Sequence, residues 1–335
     1  MGAGRAITAS LSDDCVLREQ LERIVAKRFG PGHEIVALER TLFPHLGSYD
    51  CHTVSVQLHA GIAFRCFLKD YGFSRQSKDA PEARRDRELR VHRDLLAGAG
   101  LDTPAYYGSV WDEGSARYWL LIELVEGRSL DEVSRESGAL AADWLARMHA
   151  HFEQQPERLA ACDFLTRLDA DFFRSRARHA LRDVAQIAPD ALRRLTSVLP
   201  HYEAAIPAMT AGPPTLVHGG YIPWHLIVDR SRDPLRTCVI DWELAALGSR
   251  FYDLAYFADE GRTRTIDPIC DAYLAAASSH GFGVLDPAAL RHTVHCFRLQ
   301  RVFDWLSRSV ERELPAQKVS KLVDRAWKLC ERIPA

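Results

Sequence analysis

The sequence predicts an α+β protein of two lobes, a small β-rich N-terminal part and a larger, mostly helical C-terminal part. Three observations carry this expectation. At 335 residues the chain is long for one compact core. In the first third of the chain, apolar side chains alternate with a period of two, whereas after residue 129 they recur with helical spacing. One β-like island, Thr215 to Asp241, then interrupts the helices. The boundary is expected near residue 126, which makes 1–126 the first lobe and 127–335 the second, with a cleft where they meet.

Each element has a local reason. Residues 12–29 read as a helix: Ser12 can cap it, Asp13 and Asp14 suit its positive end, and Leu17, Leu21, Ile24 and Val25 share one face. Gly30 and Pro31 end it. Val54, Val56 and Leu58 alternate with Ser55 and Gln57, Ala60-Gly61 turns the chain, and Phe64, Cys66 and Leu68 repeat the alternation up to Lys69. That pair is a hairpin. A charged helix over 80–98 turns Leu89, Leu95 and Leu96 inward. Seven basic side chains between Arg75 and Arg93 interleave with four acids, the pattern of a solvated face. Residues 118–125, YWLLIELV, form a short buried strand, and 129–207 is helical throughout. In the island, the LIV and CVI segments flank a turn at Arg230–Pro234.

Composition narrows the function. Lys+Arg 43 against Asp+Glu 45, a net charge of -2, argues against a general nucleic-acid binder. No apolar run approaches the roughly 18 residues of a membrane span. The start, MGAGRAITASLSDD, lacks the apolar core of a secretory signal. The eight cysteines are scattered, with no CxxC pair or metal-like cluster. A cytoplasmic protein with reduced thiols is expected, with neither a nucleic-acid nor a membrane partner.

The chemistry concentrates in residues 216–255, LVHGGYIPWHLIVDRSRDPLRTCVIDWELAALGSRFYDLA. This stretch resembles the aminoglycoside phosphotransferase and choline-kinase-like family, relatives of the protein kinases. Their pattern is HGD, four residues, Asn, a hydrophobic hairpin, IDWE, a Gly and YDLA. The chain matches at His218-Gly219, Ile240-Asp241-Trp242-Glu243, Gly248 and Tyr252-Asp253-Leu254-Ala255. Further motifs follow in the same order, so the resemblance spans about residues 34 to 260.

The resemblance implies a protein-kinase-like fold, ATP with Mg²⁺ (or Mn²⁺) as cofactors, and a small-molecule hydroxyl as substrate. It places Gly47 and Ser48, in LGSY, in the loop that covers the phosphates. Lys69 resembles the lysine that holds the α/β-phosphates, and Glu88, in RELRVHRDLL, the glutamate that pairs with it. Glu123 and Val125, in IELVEG, fall in the hinge behind the adenine, and Leu145 to Ala150 falls on the family's LxxLHA helix pattern. Asp241 takes the place of the metal-binding carboxylate. Phosphoryl transfer needs positioning and charge neutralisation, which a lysine and a metal-bound carboxylate supply.

The departures matter as much. The family's catalytic Asp falls on Gly220, and its second metal-binding residue, Asn, falls on His225. Glycine cannot act as a general base, and losing one typically removes about 10²–10⁴ in rate. His225 is either a packing histidine beside Pro223-Trp224 or a metal ligand, with imidazole better suited to Mn²⁺ or Zn²⁺ than to Mg²⁺. His218 opens the catalytic motif, yet also reads as a brace bonding nearby carbonyls, and Asp253 reads as a brace of the catalytic loop. Three readings stay open: a small-molecule kinase, a pseudokinase that binds nucleotide, and a scaffold that binds none. A pocket for polycationic aminoglycosides should be acidic, and the last 25 residues, with six basic and four acidic side chains, give no such signal. Phe297 and Trp305, spaced for one helical face, read as core.

Overall fold

The computed structural model describes residues 11–44, 47–59, 61–75, 78–133, 137–260, 266–282 and 285–333. Its contacts divide the chain into two compact units. One comprises Met1–Gln76 and Pro104–Leu124, the other Ser77–Thr103 and Val125–Ala335. A single boundary at 126 therefore misplaces the segment 77–103, which packs with the second unit.

In the first unit, helix α1 (Leu11–Phe29) lies on a five-stranded antiparallel sheet. Its strands are β1 (Ile35–Leu42), β2 (Tyr49–Leu58), β3 (Ala63–Ser74), β4 (Tyr106–Asp112) and β5 (Arg117–Glu123), in the order β1-β2-β3-β5-β4. The alternation in the sequence explains the core: Val54, Val56 and Leu58 of β2, with Cys66 and Leu68 of β3, bury against Leu17, Leu21, Ile24 and Val25 of α1. Arg117 donates to Asp13 at 2.6 and 3.0 Å, which ties β5 to the acidic first turn of the helix. The cap expected from the Ser12 side chain lies outside the described residues.

The second unit begins with α2 (Pro81–Arg90), which widens into a π-helical stretch over Val91–Leu96. There follow β6 (Arg128–Ser129), α3 (Leu130–Val133), α4 (Ser137–Glu153), α5 (Pro156–Ala160), β7 (Thr166–Arg167), α6 (Ala170–Ile187) and α7 (Pro189–Met209). The island holds β8 (Thr215–Val217) and the hairpin of β9 (Leu226–Asp229) with β10 (Arg236–Val239). Next come β11 (Ala246–Gly248), α8 (Tyr252–Glu260), α9 (Asp267–Ser279), α10 (Pro287–Leu306) and α11 (Ala316–Cys330). The stretch 129–207 is thus not helical throughout. β7 pairs in parallel with β11, which also pairs with β8, and β6 joins the edge of the β9–β10 hairpin. Two-residue strands carry no periodicity, so only their partners reveal them.

Trp144, Phe173, Tyr202, Phe297 and Phe303 fill the helical core, with Phe297 inside it as its spacing predicts. No described helix is long and apolar enough to cross a membrane. His149 of α4 is also fully buried, its Nδ1 2.8 Å from the Tyr273 hydroxyl of α9. Burial pulls its pKa down from 6.5 to about 3. The unfolded chain then binds a proton that the folded one refuses, so His149 contributes stability above its ordinary pKa that is lost as pH falls toward 3. His149→Asn should lower stability at neutral pH but flatten the acid side of the profile. Urea unfolding at pH about 7 and about 4.5 should show the wild type losing roughly 2–3 kcal/mol more than the variant.

Candidate functional site

The site grows from a turn and the carboxylate that holds it. His218-Gly219-Gly220 leaves the end of β8, and Asp253 lies at the start of α8, fully buried. Asp253 Oδ2 accepts from the His218 N–H at 2.8 Å and Oδ1 from the Gly219 N–H at 3.0 Å. Burial pushes the Asp253 pKa up to about 7 against the opposing pull of these two donors. Gly219 has φ +80°, and a Cβ there would lie 2.1 Å from the Leu244 carbonyl oxygen. Only glycine permits that approach.

His218 is fully buried and bonded at both nitrogens. Nε2 lies 2.9 Å from the Ile240 carbonyl and must donate, while Nδ1 accepts from the Gly220 N–H at 3.2 Å. Burial, reinforced by the neighbouring His225, pulls its pKa down to about 3. The neutral ring has no lone pair left for a substrate proton and serves as a brace.

His225 connects the turn to the segment after the hairpin. Its Nδ1 lies 2.8 Å from the Gly220 carbonyl and donates to it, and its Nε2 lies 3.3 Å from Asp241 Oδ2. That second contact is favourable when Nε2 is protonated or when a cation lies between the two atoms. Asp241 itself holds φ +67°, a left-handed conformation that side chains other than glycine adopt at a cost and that tends to mark functional sites.

Glu88, Asp241 and Glu243 each offer a carboxylate oxygen within 4.8 Å of the others, a grouping that could hold a metal ion. The three carboxylates differ in surroundings. Glu88, buried on α2, accepts from the Trp242 N–H at 3.3 Å. Glu243 is engaged by Lys78 and, at 3.1 Å, by Arg84. Arg87 donates to the Phe164 carbonyl at 3.0 Å, the Glu243 carbonyl at 2.8 Å and Thr166 Oγ1 at 2.9 Å. These bonds fasten 77–103 to the second unit, and they correct the reading of the basic helix as a solvated face. Arg84, Arg87, Glu88 and Val91, at spacings of three, four and seven, all turn inward. Lys78, Arg84 and Arg87 are the residues that the sequence reading did not single out, and it gave Glu243 no role as their anchor. For Arg84 and Arg87, the helical spacing beside Glu88 was the available signal.

The remaining candidates belong to the first unit, Val125 excepted. Lys69, on β3 of the first unit, registers with Cys51 and Leu120, and its Nζ sits 5.5 and 5.4 Å from the ring centres of Tyr49 and Tyr71. Gly47 and Ser48 connect β1 to β2, and the Ser48 carbonyl accepts from the Arg75 N–H at 2.8 Å. Glu123 ends β5, its Oε2 accepting from the Ala105 N–H at 3.1 Å. Val125 begins the next stretch of the second unit. Gly220, His225, Glu88 and Asp241 therefore belong to the second unit, and Gly47, Ser48, Lys69 and Glu123 to the first.

Comparison with known proteins gives the architecture a context. The model of the phosphotransferase enzyme family matches residues 55–293. No curated protein matches the chain in sequence. Among solved structures, a candidate aminoglycoside phosphotransferase from Ralstonia eutropha superposes with a TM-score of 0.65 at 16% identity, covering 95% of this chain and 99% of that one. The GDP complex of aminoglycoside 2′-phosphotransferase-IIIa gives 0.60 at 16% identity over 93% and 98%. A microcompartment-associated aminopropanol kinase gives 0.59 at 16% over 95% and 95%.

The two adjacent glycines should respond differently to a methyl group. Gly219→Ala should destabilise the protein by about 2 kcal/mol or more, since the new Cβ meets backbone in a left-handed residue. Gly220→Ala should be nearly neutral, because the nearest atom to its Cβ is Leu244 Cδ1 at 3.5 Å. Denaturant unfolding of both variants checks the contrast, and equal costs would contradict the geometry.

Proposed function

This chain belongs to the phosphotransferase enzyme family, and on that premise we propose that it binds ATP with a divalent cation and transfers the γ-phosphate to a hydroxyl of a small molecule. The observation that carries the reading is Asp241 in its left-handed turn, with His225 Nε2 at 3.3 Å and a Glu88 oxygen within 4.8 Å, beside the braced HGG turn. Two donor atoms about 3 Å apart match neighbouring ligands on an ion with bonds of about 2.1 Å. Asp241 and His225, with Glu88 behind them, would hold the cation, and the mixed oxygen–nitrogen set suits Mn²⁺ at least as well as Mg²⁺. Such an ion would neutralise charge developing on the transferring phosphoryl group.

The chain's own groups have separate tasks in this reading. Lys69 offers a positive charge to the α/β-phosphates, and Gly47 and Ser48 offer backbone N–H groups above them. Glu123 and Val125 line the adenine side. His218 and Asp253 hold the turn that faces the substrate hydroxyl. A second reading, a nucleotide-binding pseudokinase, draws support from that same turn. Gly220 has no side chain and both nitrogens of His218 are occupied, so the turn itself supplies no base.

Calorimetric titration with ATP and with GTP, each in Mg²⁺, Mn²⁺ and EDTA, tests the first reading. Binding should need the metal, Asp241→Asn should abolish that dependence, and Lys69→Ala should weaken affinity about tenfold or more. Absence of binding under every condition would sink the proposal. Gly220→Asp separates the two readings. Restoring a carboxylate should raise phosphate transfer or nucleotide hydrolysis by about 10²-fold or more. An inactive variant with an intact fold and normal ATP affinity would favour the pseudokinase.

A further inference from the structure

The second unit contains a cavity of about 180 Å³ whose wall includes Gly219 and Leu244, so it borders the HGG turn. Ligand pockets for drug-sized molecules run to about 300–1,000 Å³, so this one suits something smaller. Its charge is unusual for a site that accepts polycations. Four guanidinium groups line it, from Arg84, Arg87, Arg176 and Arg308, against two carboxylates, Asp79 and Asp304.

Both carboxylates are already engaged. Asp304 receives Arg308, Arg176 at 3.4 Å and the Tyr256 hydroxyl at 3.2 Å. Asp79 receives Arg84 and lies 3.8 Å from Arg308. Arg84 is shared further with Glu243. Arg87 is the key group. Each of its three nitrogens bonds a neutral acceptor, no carboxylate among the described residues forms an ion pair with it, and three bonds leave two of its five N–H groups over. Burial and the adjacent Arg84 charge pull its pKa below the usual guanidinium range, against the opposing pull of Glu243 and Asp86. Thr166 Oγ1 accepts from Arg87, which leaves the Thr166 hydroxyl hydrogen available to a further acceptor.

We infer that this cavity binds the anionic group, carboxylate or phosphate ester, of a small hydroxylated molecule, and that the site takes anionic rather than polycationic substrates. Transfer of phosphate to such a molecule rests on the function proposed above, whereas binding does not. Guanidinium groups are the side chains best shaped for bidentate capture of either anion. Bound beside Gly219, such a molecule would have its hydroxyl near the place where the turn lacks a side chain.

The test uses the full chain without nucleotide, titrated calorimetrically with inorganic phosphate, glycerol 3-phosphate, D-gluconate, D-glucose and kanamycin. One or more of the anions should bind, and glucose and kanamycin should not. Comparing glycerol 3-phosphate with gluconate tells phosphate from carboxylate recognition. Arg176→Gln, at the partly exposed rim, and Arg308→Gln should each weaken the bound anion about tenfold, while Arg176→Gln keeps its circular dichroism and its ATP affinity. Preference for kanamycin, anion affinity unchanged in Arg176→Gln, or no anion binding at millimolar concentration would overturn the inference. Joint loss of anion and ATP binding in Arg176→Gln would also overturn it, assigning the cavity to nucleotide phosphates. Failure of the phosphotransferase reading would show instead in the ATP titration alone.

Discussion

The geometry of the candidate site depends on the pairing of one buried carboxylate with two backbone N–H groups. Taking Asp253 out of water costs several kcal/mol, and the donors of His218 and Gly219 offset that cost only while the turn keeps its shape. The turn's shape then fixes what lies around it. Gly219 can approach the Leu244 carbonyl because it has no Cβ, and that approach brings the end of β8 against residues 240–244. His218 bridges the same gap to the Ile240 carbonyl, and the Ile240 N–H donates to the His225 carbonyl at 2.9 Å. The left-handed Asp241 therefore follows from a chain of backbone contacts that begins at Asp253.

Charge is distributed around this frame by contrast between near neighbours. Asp241 and Glu243 are two residues apart, yet they face different company. Lys78 and Arg84 enclose Glu243, so it anchors the segment ahead of α2 and is poorly placed to ligate an ion. Asp241 faces the imidazole of His225, whose other nitrogen is committed to the Gly220 carbonyl. One helical face, carrying Arg84, Arg87 and Glu88, thus serves three ends. It anchors Glu243, adds positive charge to the neighbouring cavity, and brings a carboxylate to the Asp241 side.

Much of this was legible in the sequence. The two-lobed α+β class, helix α1 with its buried face, the β2–β3 hairpin and the β9–β10 hairpin all follow from periodicity and turn residues. His218 as a brace bonding a nearby carbonyl was legible too, through the resemblance that the HGG motif carries. The rest was hidden for physical reasons. β7 exists only because β11 offers it an edge, and two residues have no period to read. The burial of Arg84 and Arg87 depends on acceptors far along the chain, at Glu243, Phe164 and Thr166, so a count of charges reads their helix as solvated. For the same reason the segment 77–103 changes sides relative to a boundary drawn from composition.

Position 220 shows how far the site departs from its family pattern. A Cβ built on Gly220 meets only Leu244 Cδ1 at 3.5 Å and His218 ring atoms at 3.8 and 3.9 Å, all ordinary contacts. The backbone there is not left-handed, and its N–H is held by His218. A Cβ at 220 would therefore find both space and a permitted backbone conformation. The braces that hold the turn, Asp253 and His218, make no use of a side chain at 220 and keep the backbone in place without it. In the function proposed above, binding and transfer are therefore separable: the groups assigned to phosphate, cation and anionic ligand do not include the missing side chain at 220.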